Sequence, residues 1–199
     1  MLLWSRLRAE VAAYPRTFWV LWVGTLVNRL GLVVVPFLTL YLTTERGLRP
    51  SMAAALLSGY GLGAFLSSIA GGLLAERGGR RPGLLMGLLG GAALVARVPF
   101  ATALPALAVR VIALGFVTES YRPAVAAAIV DLVAEELRTR AFALFYWVIN
   151  VGTAIAPVLG GVLVLWSYAL QFALDAATIL VYGLVVAALI TEKQPDRNR

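Results

Sequence analysis

The sequence predicts an all-α membrane protein in which six transmembrane helices form two inverted three-helix repeats. Three observations carry this. Of 199 residues, 61% are hydrophobic and only 14% charged, which leaves too little polar surface for a soluble domain of this size. Six stretches approach or exceed the roughly 20 apolar residues that cross a hydrocarbon core of about 30 Å as a helix. Sliding the chain against itself by 89 positions aligns Gly63, Ser67, Gly71, Gly72 and Leu74 with Gly152, Ala156, Gly160, Gly161 and Leu163. Three spans per copy is an odd number, so the two copies lie inverted in the membrane.

Residues 1–16 mix arginines with Leu2, Leu3, Trp4, Leu7 and Val11, the pattern of a cytoplasmic interfacial helix rather than a cleavable signal. The transmembrane domain follows over 17–190. Its first span, 18–42, is apolar except for Asn28 and Arg29, is expected to bend at Pro36, and carries Trp19, Trp22 and Tyr41 as interface anchors. The second, 52–75, places Ala55, Gly59, Gly63, Ser67, Gly71 and Ala75 four apart, a small-residue stripe that lets another helix approach. The third, 82–98, repeats that spacing with Gly83, Gly87 and Gly91. The fourth, 106–130, holds Arg110, Glu119 and Arg122; a polar loop is expected over 131–140. The fifth, 141–164, contains Asn150, Gly152, Ala156, Pro157, Gly160 and Gly161, and the sixth, 168–190, contains Asp175. Residues 191–199 read as a cytoplasmic tail.

The net charge of +7 is a topology signal. Its bases lie in short loops between apolar spans and form no continuous face, which argues against nucleic acid as a partner. With both termini inside, eleven basic residues face the cytoplasm and only Arg46, Arg49 and Arg97 face out. The positive-inside rule thus puts both termini in the cytoplasm. The chain has neither cysteine nor histidine, which removes thiol and imidazole chemistry and the commonest metal ligands. No nucleophile and base pair stands out, so the sequence argues against an enzyme and implies no metal or cofactor.

A charge at a helix centre costs about 2.5 to 3.5 kcal/mol on insertion scales, and a leucine returns only about 0.3 to 0.6 kcal/mol. Arg29, Arg110, Glu119, Arg122 and Asp175 are therefore expected to face the bundle interior or a wet cavity. Asn28 beside Arg29 joins them as a candidate for proton coupling or substrate contact. Glu119 and Arg122, three apart, share a helix face and can neutralise each other. Asp175 reads as a helix-packing hydrogen-bond group as readily as a functional acid.

Three ordered motifs resemble those of the major facilitator superfamily, in particular the N-terminal half of its drug-efflux (drug:proton antiporter) members. The stretch Gly72, Leu74, Ala75, Glu76, Arg77, Gly79, Arg80 and Arg81 is similar to the family's loop signature between spans two and three, with glutamate in place of aspartate at Glu76. Arg110 and Gly115 resemble its arginine-and-glycine pattern on span four, and Gly152, Ala156, Pro157, Gly160 and Gly161 its antiporter motif on span five. The resemblance implies that Glu76 and Arg80 join Asp131 in a charge network that latches the outward-facing state, and that Arg110 takes part in proton coupling.

What the resemblance implies as a whole is half of a major facilitator fold. The expected activity is proton-coupled efflux of small amphipathic molecules by alternating access, in a bacterial-type cytoplasmic membrane. The expected partners are the lipid bilayer, a small-molecule substrate, protons and a second six-helix half, because family members have twelve spans. A fragment or engineered half is the first expectation, ahead of a homodimer and of a separately encoded mate. The competing expectation is a non-transporting membrane scaffold or truncated folding unit.

Overall fold

The computed structural model describes residues 11–78 and 80–189, the side chains of 71–81 excepted. The first span is two helices, α1 (Arg16–Gly31) and α2 (Val34–Thr44). The break falls one turn before the expected bend. A proline ring collides with the carbonyl four residues back and offers it no N–H, and for Pro36 that residue is Leu32. Leu32 accordingly leaves the helix at φ −72° and ψ 65°, and the Val33 N–H donates to the Gly31 carbonyl at 2.7 Å. This is inverse γ-turn geometry.

The remaining spans are α3 (Pro50–Gly78), α4 (Arg80–Arg97), α5 (Leu104–Leu132), α6 (Glu135–Val164) and α7 (Tyr168–Leu189), with a 3-10 turn over Val98–Phe100. Six helical segments are long and apolar enough to cross a membrane, and no strand occurs among the described residues. The expected polar loop over 131–140 is mostly helix: α5 continues to Leu132 and α6 starts at Glu135. Glu135 and Glu136 occupy the first turn of α6, where negative charge favours the positive end of the helix dipole, so the helix extends beyond its apolar part.

The helices pair as an inverted repeat requires. α5 packs on α3 and α4, the first span packs on α6 and α7, and α4 meets α7. Exchanging the two repeats turns each of the first contacts into one of the second and leaves α4–α7 unchanged. The glycines aligned by the shift of 89 sit at equivalent crossings. A Cβ on Gly63 would overlap the Ile112 carbonyl of α5, and one on Gly152 would overlap Arg29 of α1. Gly115 returns the first contact, because its own Cβ position is filled by the Tyr60 carbonyl. Such approaches leave room only for hydrogen.

The two repeat-related helices α3 and α6 are also the least covered. Only 22% of each apolar window is buried, against 39% or more in the other spans. They carry exposed Leu62, Phe65, Ile69, Trp147, Val158 and Val162 and flank the same side of the bundle.

Candidate functional site

Between these flanking helices lies a cavity of about 480 Å³, within the usual range for small-molecule sites. Thr25 and Arg29 of α1, Ala64 and Ser68 of α3, a stretch of α5 from Glu119 to Ile129, and Phe142, Phe145, Tyr146 and Ile149 of α6 line it. The α5 and α6 residues among them come from the C-terminal half of α5 and the N-terminal half of α6, so the cavity lies in the half of the bundle nearer the α5–α6 turn. Its wall is mostly apolar and aromatic, with Arg29, Glu119 and Arg122 as the charged groups.

Glu119 and Arg122 pair along α5 at 2.8 Å, with the Arg122 side chain 50% exposed and that of Glu119 22%. Arg29 is buried. Among the described residues it has no ion pair, and its Nε is sealed without a hydrogen-bond partner. Its guanidinium carbon stands 5.9 Å from the centre of the Tyr121 ring, a cation–π distance. The Tyr121 hydroxyl donates to Asn28 Oδ1 at 3.2 Å, and its ring meets Tyr182 edge-on at 6.5 Å. Tyr182 in turn donates to the Leu21 carbonyl at 3.3 Å and lies 3.2 Å from the Thr25 hydroxyl. Each tyrosine thus ties α1 to a different neighbouring helix.

The structure therefore brings Asn28, Arg29, Glu119 and Arg122 together and sets Arg110 and Asp175 apart. Arg110 donates to the Arg97 carbonyl at 2.5 Å, closing the last turn of α4, where a cation suits the dipole. Asp175 is 1% exposed, and its Oδ2 accepts the Val34 N–H at 3.1 Å. It caps α2 from another helix. Gln171, one turn earlier on α7, donates to the Val33 carbonyl at 2.9 Å, so both sides of the broken span find partners on α7.

The α6 motif packs rather than lines. Gly152 lies under Arg29, and Gly160 lies against Phe37 and Gln171. Ala156 is buried between them, Gly161 lies beside the tip of Phe37, and Pro157 is exposed. Asp131 is exposed in the last turn of α5. Gly72 belongs to α3; the side chains of Glu76, Arg77, Arg80 and Arg81, and all of Gly79, lie outside the described residues. Among the aromatic residues of α6, Phe142, Phe145 and Tyr146 line the cavity, while Trp147 stacks on Trp22 with ring centres 6.1 Å apart. Tyr121, Tyr182 and Gln171 are not among the polar groups expected from the sequence: each is uncharged, and the group it binds lies on another helix.

At the opposite end the bundle is tied. Arg46, just past α2, donates to the Pro99 carbonyl at 3.2 Å and to that of Ala101, and the hydroxyls of Thr44 and Tyr168 lie 3.2 Å apart.

Comparison with known proteins decides the family. The model of the Major Facilitator Superfamily matches residues 21–199. The chain belongs to the major facilitator superfamily. Two relatives from Bacillus subtilis (strain 168), the uncharacterized MFS-type transporters YqjV and YhjO, are each 28% identical, over 179 and 165 residues. These matches cover 89% and 83% of this chain but 43% and 41% of the relatives. A Na(+), Li(+), K(+)/H(+) antiporter of Planococcus maritimus is 31% identical over 166 residues, covering 81% of this chain and 38% of that protein. Crystal structures of a variant of the peptide transporter POT, with sulfate and with alafosfalin, superpose with TM-scores of 0.75 and 0.76 at 25% identity. They are matched over 87% of this chain and 37% and 38% of theirs. The chain therefore spans less than half the length of these superfamily relatives, and its fold is that of half a major facilitator.

Proposed function

We propose that this chain is one six-helix half of a secondary transporter that exports small amphipathic molecules in exchange for protons by alternating access. The observation that supports this is the cavity itself. It has walls from the first span, α3, α5 and α6, and α3 and α6, the helices at its edges, are the least buried. A second six-helix half set against those two helices would close the missing wall. Its source is the continuation of a longer chain, a second copy or a separate chain. The apolar and aromatic lining suits amphipathic cargo. The Planococcus maritimus relative, an antiporter by name, supports exchange against protons.

With the basic loops inside, the termini face the cytoplasm of a bacterial-type inner membrane. The cavity then lies in the cytoplasmic half, and the Arg46 contacts close the outer end. Glu119 is the group on the cavity wall that can take up a proton, and Arg122 beside it holds its charge when the proton leaves. The charged loop from Gly72 to Arg81, with Asp131, is assigned to biasing which side is open.

The experiment uses everted membrane vesicles from cells expressing the protein with its second half. Cargo is expected to dissipate an imposed pH gradient, and Glu119→Gln to abolish that response at unchanged protein level in the membrane. An unchanged response in Glu119→Gln counts against the coupling, and no response above empty vesicles counts against transport. The mass in detergent separates the sources of the second half, since a strict monomer excludes the homodimer.

A further inference from the structure

We propose that Arg29 forms an oxyanion subsite in the cavity, one that receives the carboxylate of an amphipathic substrate. The inference rests on the transport reading above and adds the charge class of the cargo.

The argument starts from the charges on the cavity wall. Among the described residues they are Arg29, Glu119 and Arg122. Glu119 is engaged by Arg122 at 2.8 Å, which leaves one positive charge unbalanced. A buried guanidinium without a counter-charge is costly, and proteins retain one where a partner arrives from elsewhere. Arg29 lines both the main cavity and a narrow crevice beside Gly87 and Ile179, and the residue is buried.

Its position is fixed before any ligand arrives. The backbone of Gly152 leaves no space beside the Arg29 Cβ, which seats the stem against α6. The Tyr121 ring faces the guanidinium carbon at 5.9 Å, and the Tyr121 hydroxyl is spent on Asn28. The ring steadies the cation, the Tyr121 hydroxyl is also within hydrogen-bonding reach of the guanidinium, and the remaining N–H donors, the unpartnered Nε among them, are left for an acceptor. A guanidinium held in this way is matched to a carboxylate, which it can bind through two parallel hydrogen bonds. Beyond it, Phe142, Phe145 and Ile149 offer an apolar surface for the body of the same molecule. A cation entering the cavity would meet the unbalanced charge and be disfavoured.

Three probes with one apolar body and different charge test this: naphthoate, naphthylmethanol and naphthylmethylammonium. Their binding to the purified full chain in detergent is measured by equilibrium dialysis. Naphthoate is expected to bind at least about tenfold more tightly than the ammonium probe, about 1.4 kcal/mol, with the alcohol between them. Arg29→Gln is expected to remove that preference while leaving the alcohol unchanged, and Arg29→Lys to restore most of it. If Arg29→Gln does not fold, the ranking of the three probes on the unmodified chain and on Arg29→Lys still decides. Equal binding of naphthoate and the ammonium probe overturns the proposal, as does an anion preference that survives Arg29→Gln. Anion binding without any vesicle transport would sink the transport reading alone; transport of the cationic probe without anion preference would sink the subsite alone.

Discussion

The first span and α5 are the same helix in the two repeats, and they meet their proline in opposite ways. The first span breaks at Leu32, whereas α5 stays helical from Leu104 to Leu132 with Pro123 inside it. The difference lies on the facing helix. α7 offers the broken span Asp175 and Gln171, which bind the Val34 N–H and the Val33 carbonyl. The positions 89 earlier on α4 are Met86 and Pro82, which supply neither a carboxylate nor a side-chain amide. A break at the matching place in α5 would leave backbone groups without partners in a setting where water cannot replace them. A proline thus opens a membrane helix where a neighbour can satisfy what it frees.

The largest test acts on the unbroken member of the pair. α5 crosses α3 backbone to backbone, and the space a Cβ of Gly115 would need is filled by the Tyr60 carbonyl. Gly115→Leu is expected to cost about 3 kcal/mol or more, at the upper end for overpacking, because backbone on a packed helix cannot step aside as a side chain can. Size-exclusion profiles and thermal unfolding in detergent would read this as aggregation or a sharply lowered midpoint. A stable Gly115→Leu protein would show that the crossing is looser than the geometry implies.

A smaller effect is expected from the cap on the broken span. Asp175→Leu removes the acceptor for the Val34 N–H and leaves a buried donor unpaired, at a cost of about 1 to 3 kcal/mol. Asp175→Asn keeps an acceptor of the same shape and should retain most of the stability. Hydrogen exchange at the Val34 amide separates the two: fast in Asp175→Leu, protected in Asp175→Asn. Equal protection in both would mean that the carboxylate is not what holds the start of α2.

These contacts also mark how far the sequence could be read. The six spans and the inverted repeat were legible because length, apolarity and glycine spacing are local or periodic quantities. The Glu119–Arg122 pair was legible for the same reason, being three residues apart on one helix. The break was half legible: Pro36 marks the neighbourhood, but its cap comes from Asp175, 141 positions away. The Arg29–Tyr121–Asn28 cluster was illegible as a cluster, since Tyr121 reaches Asn28 across 93 positions. Arg110, on α5, carries the same charge as Arg29, yet its guanidinium binds the end of α4, and nothing local in the sequence distinguishes a cavity arginine from one that closes a helix.

The smallest effect gives the sharpest test of the comparison. Pro36→Ala restores an N–H four residues after Leu32 and removes the ring that drives Leu32 out of the helix. Alone it is expected to change stability by less than about 1 kcal/mol, because Asp175 and Gln171 already satisfy the open form. Combined with Asp175→Leu the outcome differs, since the span can now close like α5 and supply its own partner for the Val34 N–H. The double variant should recover about half of the Asp175→Leu loss, a coupling of about 0.5 to 1.5 kcal/mol, inside the range for residues that share partners. Unfolding midpoints of the four proteins in one detergent complete the cycle. Strict additivity would mean that the break at Leu32 is held by packing of the first span on α6 and α7, with proline and carboxylate acting independently.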